Sequence, residues 1–196
     1  MTMKKCAFLS MDNLDDFEVY DHLLFKPLKK LGWQAEEISW RNDEVDWNYY
    51  EAVIIRSPWD YQKDPKAFLK VLNDIEESEA LLENSLEIVN WNIDKTYLRD
   101  LESQGVEIVP SRWYQTFNAD LFPSVFSNLT SEEIVIKPTI SAGADDTFRI
   151  HESNYGIFIN DLKSVFKDRP FLVQPFMDNI IEEGEFSVFF FGDTYS

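Results

Sequence analysis

The run Ala52-Val53-Ile54-Ile55, closed by Arg56, is apolar at both odd and even positions. A strand of that composition must be covered on both faces. A parallel sheet meets this need, because its crossover helices lie over it. The flanking sequence supplies the remaining parts. Lys5–Ser10 (KCAFLS) reads as a short buried strand. Phe17, Tyr20, Leu23, Leu24, Leu28 and Leu31 form a helical stripe stopped by Gly32, and Pro27 is expected to kink or split it. Gln34–Trp40 reads as a strand, Pro65–Ile75 as an amphipathic helix, and Leu86–Asn90 as a further strand. Short buried strands joined by helices predict a doubly wound α/β sheet.

The style changes past Asn92. Asp94–Gln104 reads as a helix ended by Gly105, with Lys95 on its first turn. Val106–Val109 reads as a strand ended by Pro110, and Asp120–Asn128 holds a short helix. Glu133–Lys137, Thr147–Ile150, Leu172–Gln174 and Phe186–Phe191 read as strands of an antiparallel sheet, with a helix over Asn160–Phe166. The expected organisation is an α/β domain over residues 1–92 and an α+β domain over 93–196. Gly192-Asp193 reads as a tight turn and Thr194-Tyr195-Ser196 as the start of a return strand. A sheet edge is then left unpaired, so a chain cut short is expected.

Thirty-six acidic against 18 basic residues give a net charge of −18. That field repels nucleic acid. A polyanionic ligand would need lysines, arginines or a metal ion to reverse it locally. No apolar run approaches the ~20 residues that span a bilayer, and the first residues lack a signal-peptide core, so a cytoplasmic protein without membrane contact is expected. The lone Cys6 sits in a strand and reads as a core residue. His22 and His151 stand far apart and suggest neither a base nor a ligand pair.

Three segments can carry chemistry. In IVIKPTISAGADDTFRI, residues 134–150, a strand delivers Lys137 and stops at Pro138. The small loop Ser141-Ala142-Gly143 then lets backbone N–H groups approach an anion. It is not a P-loop, and taken alone it also reads as an ordinary hairpin turn. In FLVQPFMDNIIEEGEFSVFFF, residues 171–191, a strand runs into Gln174-Pro175-Phe176-Met177. Pro175 lacks an N–H, so a purine edge can pair with the backbone of Phe176 or Met177 while Gln174 meets its amine. Glu185, at the entry of the next strand, can accept from two ribose hydroxyls; the alternative is a solvated acid. In the third segment, Lys95 at a helix start adds its charge to the positive dipole end, where phosphates bind.

These pieces, in this order, resemble the ATP-grasp superfamily. VDWNYYEAVIIRSPWDY (45–61) and IVNWNIDKTYLRDL (88–101) are similar to its bacterial group of cycloserine-forming cyclo-ligases and glutathione-synthetase-like proteins. The resemblance implies a Rossmann-like pre-ATP-grasp domain followed by an incomplete ATP-grasp domain, with ATP held between two sheets. Lys95 and Lys137 would grip its phosphates under the loop Ser141, Ala142 and Gly143. Gln174, Pro175, Phe176 and Met177 would form the adenine hinge, with Glu185 on the ribose. Arg56, Trp59, Asp60 and Tyr61, at the end of a first-domain strand, are candidates for the substrate side, although Trp59 and Tyr61 also suit simple packing. The family's magnesium ligands lie in a later segment, so they are expected outside residues 1–196. The implied activity joins a small amino-acid-like carboxylate to an amine, or cyclises it, through an acyl phosphate. A kinase and a non-catalytic nucleotide-binding module are the alternatives. Many relatives form dimers, so a homodimer is among the expected assemblies.

Overall fold

The computed structural model describes residues 2–120, 122–192, 194 and 195, with the side chain of Phe191 left out. The chain divides into two compact units, Met1–Ile108 with Thr139–Asp146, and Val109–Pro138 with Thr147–Ser196.

The first unit is built on a four-stranded sheet in the order β2-β1-β3-β4. These strands are β1 (Lys4–Ser10), β2 (Trp33–Ser39), β3 (Ala52–Ser57) and β4 (Leu81–Glu83), all paired parallel. Four helices belong to the same unit: α1 (His22–Lys30), α2 (Pro65–Glu76), α3 (Leu86–Asn92) and α4 (Tyr97–Ser103). Both sheet faces are buried. Ala7, Leu9 and Val53 pack with Phe68, Leu72 and Ile75 of α2. Cys6, Phe8 and Ala52 pack on the other side with Phe25 and Leu28 of α1. The apolar run at 52–55 is satisfied in this way.

The second unit has a four-stranded antiparallel sheet in the order β5-β8-β6-β7. Its strands are β5 (Arg112–Tyr114), β6 (Glu133–Pro138), β7 (Phe148–His151) and β8 (Phe171–Pro175). One face carries Ile134, Ile136, Ile150, Phe171 and Val173 against α5 (Ser124–Leu129) and α6 (Tyr155–Val165). A short α7 (Asn179–Glu182) leads to β9 (Phe190–Phe191), which pairs antiparallel with β10 (Thr194–Tyr195).

Several expectations need correction. Residues 86–92 are the helix α3, not a strand. Ser85 caps it by accepting from the Ile88 N–H, and Leu86, Val89 and Ile93 reach the core at helical spacing. Residues 106–110 form no strand; the pairing falls later, on β5. The first helix begins at His22 rather than Phe17 and runs on through Pro27. Pro27 removes one helix N–H, but the packing of Phe25 and Leu28 keeps the turn in place. Of Phe186–Phe191 only the last two residues pair, and residues 184–189 carry no ladder. The return strand is present, whereas Asp193 and Ser196 lie outside the described residues.

Cys6 is 2% exposed, and burial pushes its thiol up to about 11. The thiolate is the reactive form, so at pH 8 the folded chain should leave Ellman's reagent unreacted. Denaturation should release the one thiol per chain. Rapid labelling of the native protein would show that Cys6 is not sealed.

Candidate functional site

Lys95 lies in the turn before α4, whose cap is Thr96, and not on the helix itself. Its charge is therefore placed by tertiary bonds rather than by a helix end. The Lys95 ammonium donates to the Ser141 carbonyl and to Ser141 Oγ, both at 2.8 Å. The Lys95 N–H donates to the Thr139 carbonyl at 2.8 Å, and Thr139 Oγ1 donates to Asp94 at 2.9 Å. The turn at 94–96 and the segment 139–141 are thus laced together. Beyond Ser141 the loop becomes strained. Gly143 has φ of 59°, which glycine tolerates, but Ala144 at 60° and Asp146 at 50° occupy the same left-handed region with a Cβ. Such conformations persist where their surroundings impose them, and they cluster at ligand sites. Ala142 and Gly143 line an open cavity of about 610 Å³ with Phe17, Trp59 and Asp145.

The second group sits at the carboxyl end of β3. The sheet order reverses between β1 and β3, and open α/β sheets bind ligands at such a switch point. Arg56 is oriented by Asp21, which is 3% exposed. Asp21 accepts from Arg56 Nε at 2.7 Å and from Nη2 at 2.5 Å, and Ser57 Oγ donates to its other oxygen at 3.2 Å. Arg56, Trp59 and Tyr61 share a cavity of about 300 Å³ with Asn84 and Asn92. Asp60 is turned to a different task. It accepts from Trp40 Nε1 at 2.7 Å and from Arg41 Nε and Nη2 at 3.0 Å each. Tyr61 also packs on Phe68 at 5.5 Å, and burial raises its phenol pKa. Trp59 packs on Phe17 at 5.3 Å.

The third group belongs to the second unit. In β6 and β8, Val135 lies opposite Gln174 and Lys137 opposite Leu172. Strand alternation puts these four side chains on the face away from Ile134, Ile136, Phe171 and Val173. Lys137 and Gln174 therefore share one sheet face. Burial lowers the Lys137 pKa, and the Glu185 carboxylate partly restores it. Glu185 is itself exposed. Gln174 is 7% exposed, and its Nε2 donates to Ser111 Oγ at 2.8 Å. Phe176 cannot offer its N–H to a ligand, because that group donates to the Glu133 carbonyl at 2.9 Å. Met177, 40% exposed, has an N–H that meets no protein acceptor among the described residues.

Asp21, Ser111, Glu133 and Arg149 were not legible as site residues. Each acts on a partner distant in sequence, and a lone acid, serine or arginine carries no local mark of that. Among the described residues, no group of three or more His, Cys, Asp or Glu side chains converges as a metal site. No helix among them is long and apolar enough to cross a membrane.

Residues 6–84 match the family model of the D-cycloserine synthetase DcsG N-terminal domain. The cycloserine biosynthesis protein DcsG of Streptomyces lavendulae is 27% identical over 178 residues, covering 88% of this chain and 59% of that protein. The chain thus spans about 59% of the length of this curated relative. A crystal structure of D-cycloserine synthetase DcsG aligns with TM-score 0.81 at 25% identity, over 98% of this chain and 66% of that one. A RimK-domain ATP-grasp protein from Sphaerobacter thermophilus aligns with TM-score 0.67 at 14% identity, over 88% and 64% of the two chains. D-alanyl-alanine synthetase A from Vibrio cholerae aligns with TM-score 0.66 at 11% identity, over 90% and 60%. The last two likenesses concern the fold alone.

Proposed function

From a chain that shares the fold of ATP-grasp enzymes and resembles their cycloserine-synthetase branch in sequence, we propose an ATP-dependent ligase that activates a small carboxylate for attack by an amine. Residues 93–196 serve the nucleotide and residues 1–92 the substrate. The observation that carries this reading is the face of the second sheet that Lys137 and Gln174 share. It presents the partly buried Lys137 ammonium and Gln174, with the Met177 N–H left as a donor at the end of the strand.

In this reading adenine pairs with the Met177 N–H, Gln174 orders the hinge, and Glu185 accepts from the ribose. Phosphate contacts are assigned in the second unit to the Lys137 ammonium, and in the first to the loop Ser141, Ala142, Gly143 braced by Lys95. The substrate carboxylate oxygen attacks the γ-phosphorus, the bond to the β-phosphate oxygen breaks, and ADP leaves with an acyl phosphate formed. An amine nitrogen then attacks the acyl carbon. Phosphate departs and the nitrogen loses its proton, giving the amide-type bond. Arg56, fixed in direction by Asp21, meets the substrate carboxylate beside Trp59 and Tyr61. Asp60 serves by anchoring Trp40 and Arg41. Positioning and the exclusion of water do most of the catalysis, and such alignment is worth roughly 7–11 kcal/mol of barrier. No nucleophilic side chain is required. Magnesium finds no converging ligand set among the described residues.

Titration calorimetry tests the reading. The protein should bind ATP, and Glu185→Ala should weaken it about tenfold, the scale of a hydrogen bond to a charged group. The 2′,3′-dideoxy analogue should lose nothing. Equal losses would remove Glu185 from the ribose, and no ATP binding by the unaltered chain would reject the proposal. With substrates supplied, ADP and free phosphate mark a ligase, whereas ADP with a stable phosphorylated product marks a kinase.

A further inference from the structure

Arg149 lies on β7, opposite Val135 of β6. Its guanidinium forks onto Glu133, with Nε to Oε1 and Nη2 to Oε2 both at 2.8 Å. The same guanidinium lies over the Phe176 ring, its central carbon 3.5 Å from the ring centroid. Glu133 also holds Phe176 directly, since its carbonyl accepts the Phe176 N–H at 2.9 Å. One residue, Glu133, therefore fixes Phe176 twice: the backbone through a hydrogen bond, and the ring through Arg149.

This clamp closes on the segment that the reading above gives to adenine, and the inference rests on that reading. We propose that Arg149 is a positioning residue for the nucleotide hinge, setting the direction of the Met177 N–H by pinning the Phe176 ring against Glu133. Arg149 touches no reacting atom. It is an exposed residue, so no hydrophobic core depends on it. Its contacts need a planar, forked cation. An arginine can stack its flat face and bond a carboxylate along its edge at once, whereas a lysine ammonium cannot. Pro175 fixes one torsion just before the ring, and Phe176 has lost its own free donor. The ring clamp thus controls the remaining freedom of the one hinge donor left over. Phe176 was a candidate contact for the base; here it serves as the handle by which the hinge is held.

The test is a double-mutant cycle on ATP affinity, read by calorimetry with Arg149→Ala, Phe176→Leu and the double variant. Arg149→Ala should weaken ATP about fivefold, as expected for an exposed cation–π contact with its ion pair. In the Phe176→Leu background the same change should cost nothing further. Arg149→Lys should recover less than half of the loss, and amide exchange at Met177 should quicken in Arg149→Ala while the melting temperature stays within a few degrees. Unchanged ATP affinity in Arg149→Ala, or fully additive losses in the cycle, would overturn the inference and leave the ATP reading standing. Absence of ATP binding in the unaltered chain would instead bring down the hinge reading, and this inference with it.

Discussion

Replacing Lys137 by alanine is expected to remove measurable ATP binding. The ammonium is partly buried on a sheet face, where burial already works against its charge and Glu185 is the charge that supports it. Removing one partner of a desolvated charge contact costs about 2–5 kcal/mol, or roughly 30- to 4,000-fold in affinity. The acidity of the whole chain strengthens the case. At a net charge of −18, a nucleotide triphosphate meets a repelling field unless specific cations reverse it nearby. The sign of the pH dependence follows from the same burial. A lysine with a folded pKa below 10.5 loses its charge earlier than a solvent lysine as pH rises, and ATP binds the charged form. ATP affinity should therefore fall as pH approaches 10.5 from below. Lys137→Arg, whose charge does not titrate there, should flatten the fall if it binds at all. Calorimetry across that range decides both points. Unchanged affinity in Lys137→Ala would take Lys137 out of the site.

The largest expected effect on stability is at Phe171. It is 1% exposed and packs with Phe166 at 4.6 Å and Tyr114 at 5.2 Å, so three rings from two strands and the end of a helix meet at one point. Phe171→Ala opens a cavity there and should cost about 3–5 kcal/mol. A domain has only about 5–15 kcal/mol in total, so much of the unit's stability would go. Urea unfolding should show a lower midpoint, and hydrogen exchange should show β6 and β8 losing protection. Phe171→Leu, closer in volume, should cost less than half as much. Phe171 also begins the strand that runs into Gln174–Met177, so the alanine variant should weaken ATP as well. Full stability in Phe171→Ala would mean that the ring cluster is not the keystone of the second unit.

The parallel sheet was legible because its strands declare themselves. Ala52–Ile55 and Cys6–Leu9 are apolar on both faces, and only a doubly covered strand suits them. Residues 86–90 read as a strand because Leu86, Ile88 and Val89 form too short an apolar group to distinguish the two periods. The Ser85 cap and the reach to Ile93 are what mark the helix. Strand β5 leaves no local pattern, because Arg112-Trp113-Tyr114 is short and is defined mainly by its pairing with β8. The chemistry followed the same division. Lys95, the small loop and Gln174 can be picked out as residue types in order. That Lys95 bonds Ser141, 46 positions away, or that Asp21 steers Arg56, 35 positions away, is a matter of tertiary meeting that no local pattern encodes.

The stretch Thr139–Asp146 sits between two strands of the second unit yet is counted with the first. The first unit is thus discontinuous in the chain. A ribosome that has finished Ile108 has not yet supplied all its parts, and the missing piece emerges only after β5, α5 and β6 have been made. Folding in order of synthesis, the usual course for successive domains, can complete the early sheet but leaves the unit without Thr139–Asp146. The unit's completion waits on the second unit's first strands, so the two halves mature on one schedule, and a gene fragment ending at residue 108 would encode an unfinished body.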